Sequence, residues 1–256
     1  MGDNNMTVDL NADIGEGFGI WRIGDDQAML GMVTSANLAC GFHAGDPAGL
    51  LEVCKLAAEA GAHVGAQVSY RDLHGFGRRF IDVSFEDLFA DVIYQIGALQ
   101  AVAAVAGTRV SYVKPHGALY NTVFSHTQQA RAVTAAVLAV DPGLPVLGQP
   151  GSELFRQAEM VGLRTVAEVF ADRAYKADGT LAPRREPGAV LHEPAIIAER
   201  AVRMVKEGVV QADDGTIVDV RVDSICLHGD SPGAPHIAAA VWEQLRRNHI
   251  DLQPFA

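Results

Sequence analysis

Val113-Lys114-Pro115-His116-Gly117-Ala118-Leu119-Tyr120-Asn121 closes an apolar run that includes Val110 and Tyr112. Proline denies the right-handed helical conformation to the residue before it, so Lys114 is extended and ends a strand. Gly117 then lets the backbone turn. A cation and an imidazole two residues apart on such a rim suit chemistry, although a solvated strand-to-helix loop would read the same way. The pattern recurs along the chain, and its recurrence decides the fold.

Strand-like runs fall at about 6–12, 33–39, 62–68, 109–114, 145–149, 164–169 and 223–228, with helical patterns at about 47–60, 84–106, 126–140, 151–162, 194–207 and 233–247. In the clearest helix Leu88, Val92, Ile96 and Leu99 recur at helical spacing. Ser84 stands at its cap, Asp87 three residues on, and Gly107 beyond its end. Pro47 and Pro194 suit first helical turns. Seven strands alternating with helices imply a parallel sheet covered by helices, either closed or open. An open sheet gathers its ligand groups near one switch point, whereas a barrel brings every strand C-terminus to one mouth. Here polar clusters follow six strands: Asn11/Asp13, His43/Asp46, Ser69/Asp72, Lys114/His116, Asp172/Arg173 and His228/Asp230. The expected architecture is therefore a seven-stranded parallel β/α barrel.

No linker divides the 256 residues, so a single domain over 1–256 is expected, with residues 1–5 as a disordered polar lead-in. Apolar residues at 49% and charged residues at 20% give an ordinary globular balance. A net charge of -11 argues against nucleic acid, which needs a basic face. The start of the chain carries no apolar signal region, and no apolar stretch reaches the roughly 18 residues of a membrane span. Cys40, Cys54 and Cys226 are odd in number and lack C-x-x-C spacing, as expected of reduced thiols. Together these features lead to an expectation of a cytoplasmic protein.

Asp9, Asn11 and Asp13 alternate and so share one face of the first strand, where buried polar groups need partners. Asp13, nearest the mouth, suits a general base or a metal ligand. Glu16 lies in the loop Gly15–Gly19, which lacks the spacing of a dinucleotide fingerprint. His43 has no local structural duty, whereas Asp46 before Pro47 is explained as a helix cap. His228 and Asp230 repeat the arrangement after the last strand. The pair Asp172-Arg173 either pins its loop or lets Arg173 grip a carboxylate or phosphate, and Arg78-Arg79 offers the same choice. There is no Walker A loop and no H-E-x-x-H. Gly229-Asp230-Ser231-Pro232-Gly233 fits G-x-S-x-G, but no acid followed by a histidine comes after it, so Ser231 is read as structural.

With these motifs assembled, the chain resembles the LamB/YcsF family. The matching stretches are DLNADIGEGFG (9–19), SANLACGFHAGDP (35–47), GFGRR (75–79), VKPHGALYN (113–121), EVFADRAY (168–175) and LHGDSPGA (227–234). The resemblance implies an irregular TIM-like β/α barrel related to polysaccharide deacetylases. It also implies ATP-dependent opening of the 5-oxo-L-proline lactam to L-glutamate, performed with subunits B and C of a 5-oxoprolinase. Where the family commonly shows GAHP, this chain has Gly65-Ala66-Gln67-Val68. Glutamine is a much poorer metal ligand than histidine, so a protein-bound metal is left unassigned.

Lactam opening coupled to ATP, with Mg²⁺ as counter-ion, needs a base for water, charge for the phosphoryl group and a clamp for the substrate carboxylate. On this reading Asp13 and His43 do the acid/base work, and Lys114, assisted by His116, stabilises the anionic oxygen or phosphate. Arg173, oriented by Asp172, is the clamp, while Asn11, Glu16, His228 and Asp230 complete the substrate-binding mouth. Two alternatives stand beside it: a metal-dependent amide hydrolase or deacetylase that uses no ATP, and a non-catalytic substrate-binding subunit.

Overall fold

The computed structural model describes residues 6–229 and 233–256. Along the chain these form β1 (Met6–Ile14), α1 (Asp26–Leu30), β2 (Ser35–Ala39), α2 (Pro47–Ala60), β3 (His63–Val68), α3 (Phe85–Val105), β4 (Val110–Pro115), α4 (Gly117–Thr122) and α5 (Thr127–Val140). There follow β5 (Val146–Gly148), α6 (Glu153–Met160), β6 (Thr165–Phe170), α7 (Pro194–Glu207), β7 (Val209–Gln211), β8 (Ile217–Asp219), β9 (Ser224–Leu227), α8 (Ala234–Arg247) and β10 (Ile250–Leu252). All seven expected strands and six expected helices are present. Residues 1–5 lie outside the described residues.

The strands β1, β2, β3, β4, β5, β6 and β9 pair in parallel in that order, and β9 pairs back onto β1. This closes a seven-stranded barrel, and the open-sheet alternative falls. Closure works because β1 is long: Met6–Val8 pairs with β10, Asp9–Ala12 with β9, and Asn11–Ile14 with β2. The sequence pattern does not reveal α1, α4, the β7/β8 hairpin or β10. Each is too short to show a hydrophobic period, and β10 owes its strand form to the free lower edge of β1.

Alternation places Val8, Leu10, Ala12 and Ile14 of β1 outward, where they join the apolar layer beneath the helices. Each fully buried Leu or Ile there contributes about 1.5–3 kcal/mol. Inside the barrel the sequence does the opposite. Asp9, Asn11, Ser35, Asn37, Gln67, Lys114, Glu168 and Ser224 are all buried, where β/α barrels are usually filled by branched apolar side chains. The apolar inward residues Tyr112, Leu147 and Val166 pack against Phe255 and Ala256 of the C-terminal tail.

Helix α3 corrects one expectation. Its 21 residues are apolar and long enough, by composition, to cross a membrane. In the fold Leu88, Val92, Ile96 and Leu99 are buried in the core, and Gln95 donates to Ser69 O and accepts from Ser69 N. The helix is built into the wall around the barrel. Ser84 accepts from Asp87 N at its start and Asp46 from Ala48 N and Gly49 N at the start of α2, as their positions predict.

Candidate functional site

The barrel interior is one hydrogen-bonded network. Low in it, Asp9 accepts from Thr34 Oγ1 at 2.7 Å, from Ser35 Oγ at 2.6 Å and from Ser224 Oγ. Burial outweighs these donors and raises the Asp9 carboxyl to about 6. One layer up, Asn11 donates to Ser224 Oγ at 2.6 Å, Asn37 donates to Asn11 Oδ1 at 2.7 Å, and Tyr112 donates to Asn37 Oδ1 at 2.7 Å. Asn11 is therefore part of the scaffold beneath the mouth and does not line the cavity above it.

Lys114 rises from β4 into the upper layer, where Nζ lies 2.7 Å from Glu168 Oε1, 3.2 Å from Asp13 Oδ1 and 3.2 Å from Cys226 Sγ. Burial opposes its charge, but Asp13, Cys226 and Glu168 together hold its pKa well above the usual lysine value. Burial likewise opposes ionisation of Asp13, and Lys114 ahead of His116 and His228 overcomes it, leaving Asp13 well below the carboxylate range. A buried ion pair is weak evidence for stability, because desolvation offsets its attraction. Its maintenance at a cavity floor is better explained by chemistry.

Beside this pair, the rings of His43 and His116 stack with centroids 3.8 Å apart. Glu16 Oε1 lies 3.3 Å from His43 Nε2 and 3.6 Å from His116 Nδ1. The loop 75–79 clamps both rings. Phe76, at φ 55°, turns its carbonyl to accept from His116 Nε2 at 3.0 Å and sets its ring edge-on to both imidazoles. Gly77 follows with φ 65°, and a Cβ there would lie 2.8 Å from His43 Cβ and 2.4 Å from Ser69 Oγ. Burial lowers each imidazole to about 4, His116 also feeling His43, so both are neutral and able to ligate. Among the described residues Glu16, His43 and His116 are the group able to hold a metal ion. Gln67 stands near enough to His43 to favour its protonation, yet no Gln67 amide atom meets hydrogen-bond geometry. It is not a member of the ligand group.

A cavity of about 700 Å³ opens above Asp13, Lys114, His116 and His228, and its outer wall carries Arg78, Arg184 and Arg185. His43 and Glu16 do not line it, so His43 acts behind the surface and not as a direct acid or base, against the sequence expectation. The Arg173 clamp also needs correcting. Although Arg173 borders the cavity, its Nε donates to Ala189 O at 3.1 Å and its Nη2 to Ala182 O at 2.6 Å, which pins the loop after β6. Asp172 orients His228 through Nδ1 at 2.6 Å, and Arg173 receives no hydrogen bond from it. Of the other arginine pair, Arg79 is held by Asp72, with Nε 3.0 Å from Oδ1, and Arg78 reaches the cavity. Asp230 and Ser231 lie outside the described residues.

Glu168, Asn37, Tyr112 and Arg184 were missed from the sequence. Glu168 and Asp172 share one face of the β6 stretch at a spacing of four, and that alternation was the available signal. Arg184 and Arg185 sit in a loop with no periodicity, and nothing local marks them.

A sequence model of the LamB/YcsF family matches residues 8–256. The A subunit of 5-oxoprolinase from Mycobacterium leprae (strain Br4923) is 66% identical over 248 residues, covering 97% of this chain and 98% of that protein. The crystal structure of a lactam utilization protein from Thermus thermophilus superposes with a TM-score of 0.94 at 47% identity, covering 98% of this chain and 100% of that one. Peptidoglycan deacetylase PdaC from Bacillus subtilis superposes with a TM-score of 0.51 at 10% identity, covering 99% of this chain and 89% of that one. At that identity the likeness is one of fold alone.

Proposed function

The chain belongs to the LamB/YcsF family, and from that premise we propose that it is the lactam-opening component of an ATP-dependent 5-oxoprolinase. The observation that carries the reading is Lys114, buried, held protonated by Asp13 and Glu168, at the floor of a cavity walled by Arg78, Arg184 and Arg185. That cavity is several times the size of a five-membered lactam and leaves room for a phosphoryl group beside it.

The reaction needs three things from such a site. The γ-phosphoryl of ATP moves to the amide oxygen as the ring nitrogen loses its proton. Water then adds to the amide carbon, and cleavage of the C–N bond, with a proton delivered to nitrogen, opens the ring to an acyl phosphate. A second water releases phosphate and L-glutamate. Lys114 stabilises the anionic amide oxygen and its phosphate. Asp13, ionised and 15% exposed at the cavity floor, takes a proton from water. His228, oriented by Asp172, faces the same floor and suits proton delivery to the leaving nitrogen. The three arginines hold the substrate carboxylate and the phosphates in place of Arg173. The names of the relatives support a multi-subunit assembly, with subunits B and C as partners and a cytoplasmic setting suited to ATP.

The test is glutamate release from 5-oxo-L-proline with ATP and Mg²⁺, by this chain alone and with its partner subunits. The expected result is activity in the mixture only, lost with Lys114→Ala. Glutamate formed by the chain alone without ATP would replace this reading with the ATP-free amide hydrolase. Partner ATP hydrolysis unaltered by Lys114→Ala, with substrate binding lost, would point to a substrate-binding subunit.

A further inference from the structure

From the convergence of Glu16, His43 and His116 behind the cavity floor, we infer that the chain holds one divalent first-row transition metal ion there, of the zinc or cobalt class. This holds whether or not the lactam reading does.

Hydrogen bonding fixes the tautomer of His116. A carbonyl oxygen only accepts, so the contact with Phe76 O places the proton of a neutral ring on Nε2. Nδ1 then presents a lone pair. Facing that lone pair are Glu16 Oε1 at 3.6 Å and Asp13 Oδ2 at 3.8 Å. Electron-rich atoms therefore converge at distances too long for hydrogen bonds and with no proton between them. Burial disfavours the imidazolium form that would otherwise relieve the repulsion. A cation is the species that completes the arrangement.

The distances select the kind of cation. Two ligands at about 2.1 Å from one tetrahedral ion lie about 3.4 Å apart. Glu16 Oε1 is 3.3 Å from His43 Nε2 and 3.6 Å from His116 Nδ1. Two imidazoles and a carboxylate suit zinc, cobalt or iron and disfavour magnesium, which takes oxygen ligands. On Asp13, Oδ1 is occupied by Asn37 at 2.9 Å and Lys114 at 3.2 Å, so Oδ2 is the atom turned towards the group. The Phe76 carbonyl supplies the outer hydrogen bond by which a ligating histidine is usually oriented. The strained φ of Phe76 is consistent with a backbone held for that purpose. Because the rings lie within 11° of parallel, binding must tilt them so that both lone pairs meet one point. Asp13 and His116 border the cavity, so the ion has an entry path and lies within reach of a bound amide.

The experiment uses untagged, full-length protein, stripped with chelator and titrated with Co²⁺ alone, followed by visible absorption and by metal analysis after dialysis. One equivalent of Co²⁺ with ligand-field bands is expected. Glu16→Gln and His116→Ala, each checked for folding by circular dichroism, should weaken binding by at least about 100-fold, whereas the exposed His192→Ala should not change it. Absence of stoichiometric binding by the folded wild type would overturn the site, as would binding unaltered in the two folded variants. If those variants do not fold, ¹⁵N resonances of the wild-type His116 ring decide: a Co²⁺- or Zn²⁺-induced shift at Nδ1 supports the site, and a doubly protonated ring indifferent to metal refutes it.

Discussion

Lys114 Nζ and Glu168 Oε1 meet at 2.7 Å in the centre of the barrel, from strands β4 and β6 that never pair with one another. The strand β5 that separates them contributes Leu147 and Gly148 at its buried end, with no polar side chain to intervene. Lys114 is thus the ammonium on which the carboxylates of Asp13 and Glu168 converge. Removing it leaves two buried carboxylates uncompensated. Lys114→Met should cost about 3–5 kcal/mol in urea unfolding and abolish measurable turnover. Adding Glu168→Gln should recover much of the stability and none of the activity. A double variant no more stable than Lys114→Met would deny the pairing.

Asp9 supplies a pH dependence away from the mouth. Its folded carboxyl is raised by burial to about 6, above the ordinary 3.8. Between those values the folded state holds more protons than the unfolded state, so this group lowers stability as pH rises from about 4 to 6. Asp9→Asn removes that contribution. Unfolding midpoints of wild type and variant at pH 4 and pH 7 should differ such that the variant gains about 3 kcal/mol relative to wild type on going to pH 7. A constant difference across that range would mean that Asp9 is already ionised at pH 4.

Asp172 holds His228 Nδ1 at 2.6 Å, which leaves Nε2 as the nitrogen available to the cavity. Asp172→Asn keeps the shape and gives up the charge. Turnover by the assembled enzyme should fall about 10–100-fold with little change in KM, and the pH profile of kcat should move. If the profile and kcat both stay put, His228 has no part in proton transfer.

Gly65 lies under the Tyr112 ring: a Cβ at position 65 would sit 2.1 Å from Tyr112 Cε2. Gly65→Ala should therefore cost about 1–3 kcal/mol or more. A second change, Tyr112→Val, should return part of that loss by opening the space. Thermal unfolding of the three variants checks this, and an additive double variant would show that the two positions do not touch.

The sequence by itself determined the barrel. Apolar alternation, the glycine and proline punctuation after strands, and polar clusters at the ends of six strands are local signals, and convergence of strand C-termini is forced once the sheet closes. It also picked out Asp13, His116, Lys114 and His228 correctly as residues of one mouth, because a lysine or histidine at a strand end has no local use. Contacts across the lumen were decided only by the tertiary structure. Asp172 serves His228 and not Arg173 because a barrel brings β6 beside β9, 56 residues apart in sequence. Arg173 is consumed by carbonyls of its own loop, while Arg184, which no period or motif marks, reaches the cavity. His43 looked like a direct acid or base, yet loop 75–79 folds over it, and its partner Glu16 comes from a turn that sequence could place only next to β1. Side-chain pairing inside a closed barrel depends on register and strand stagger, set by the sum of packing around the whole ring, and no single stretch of chain encodes it.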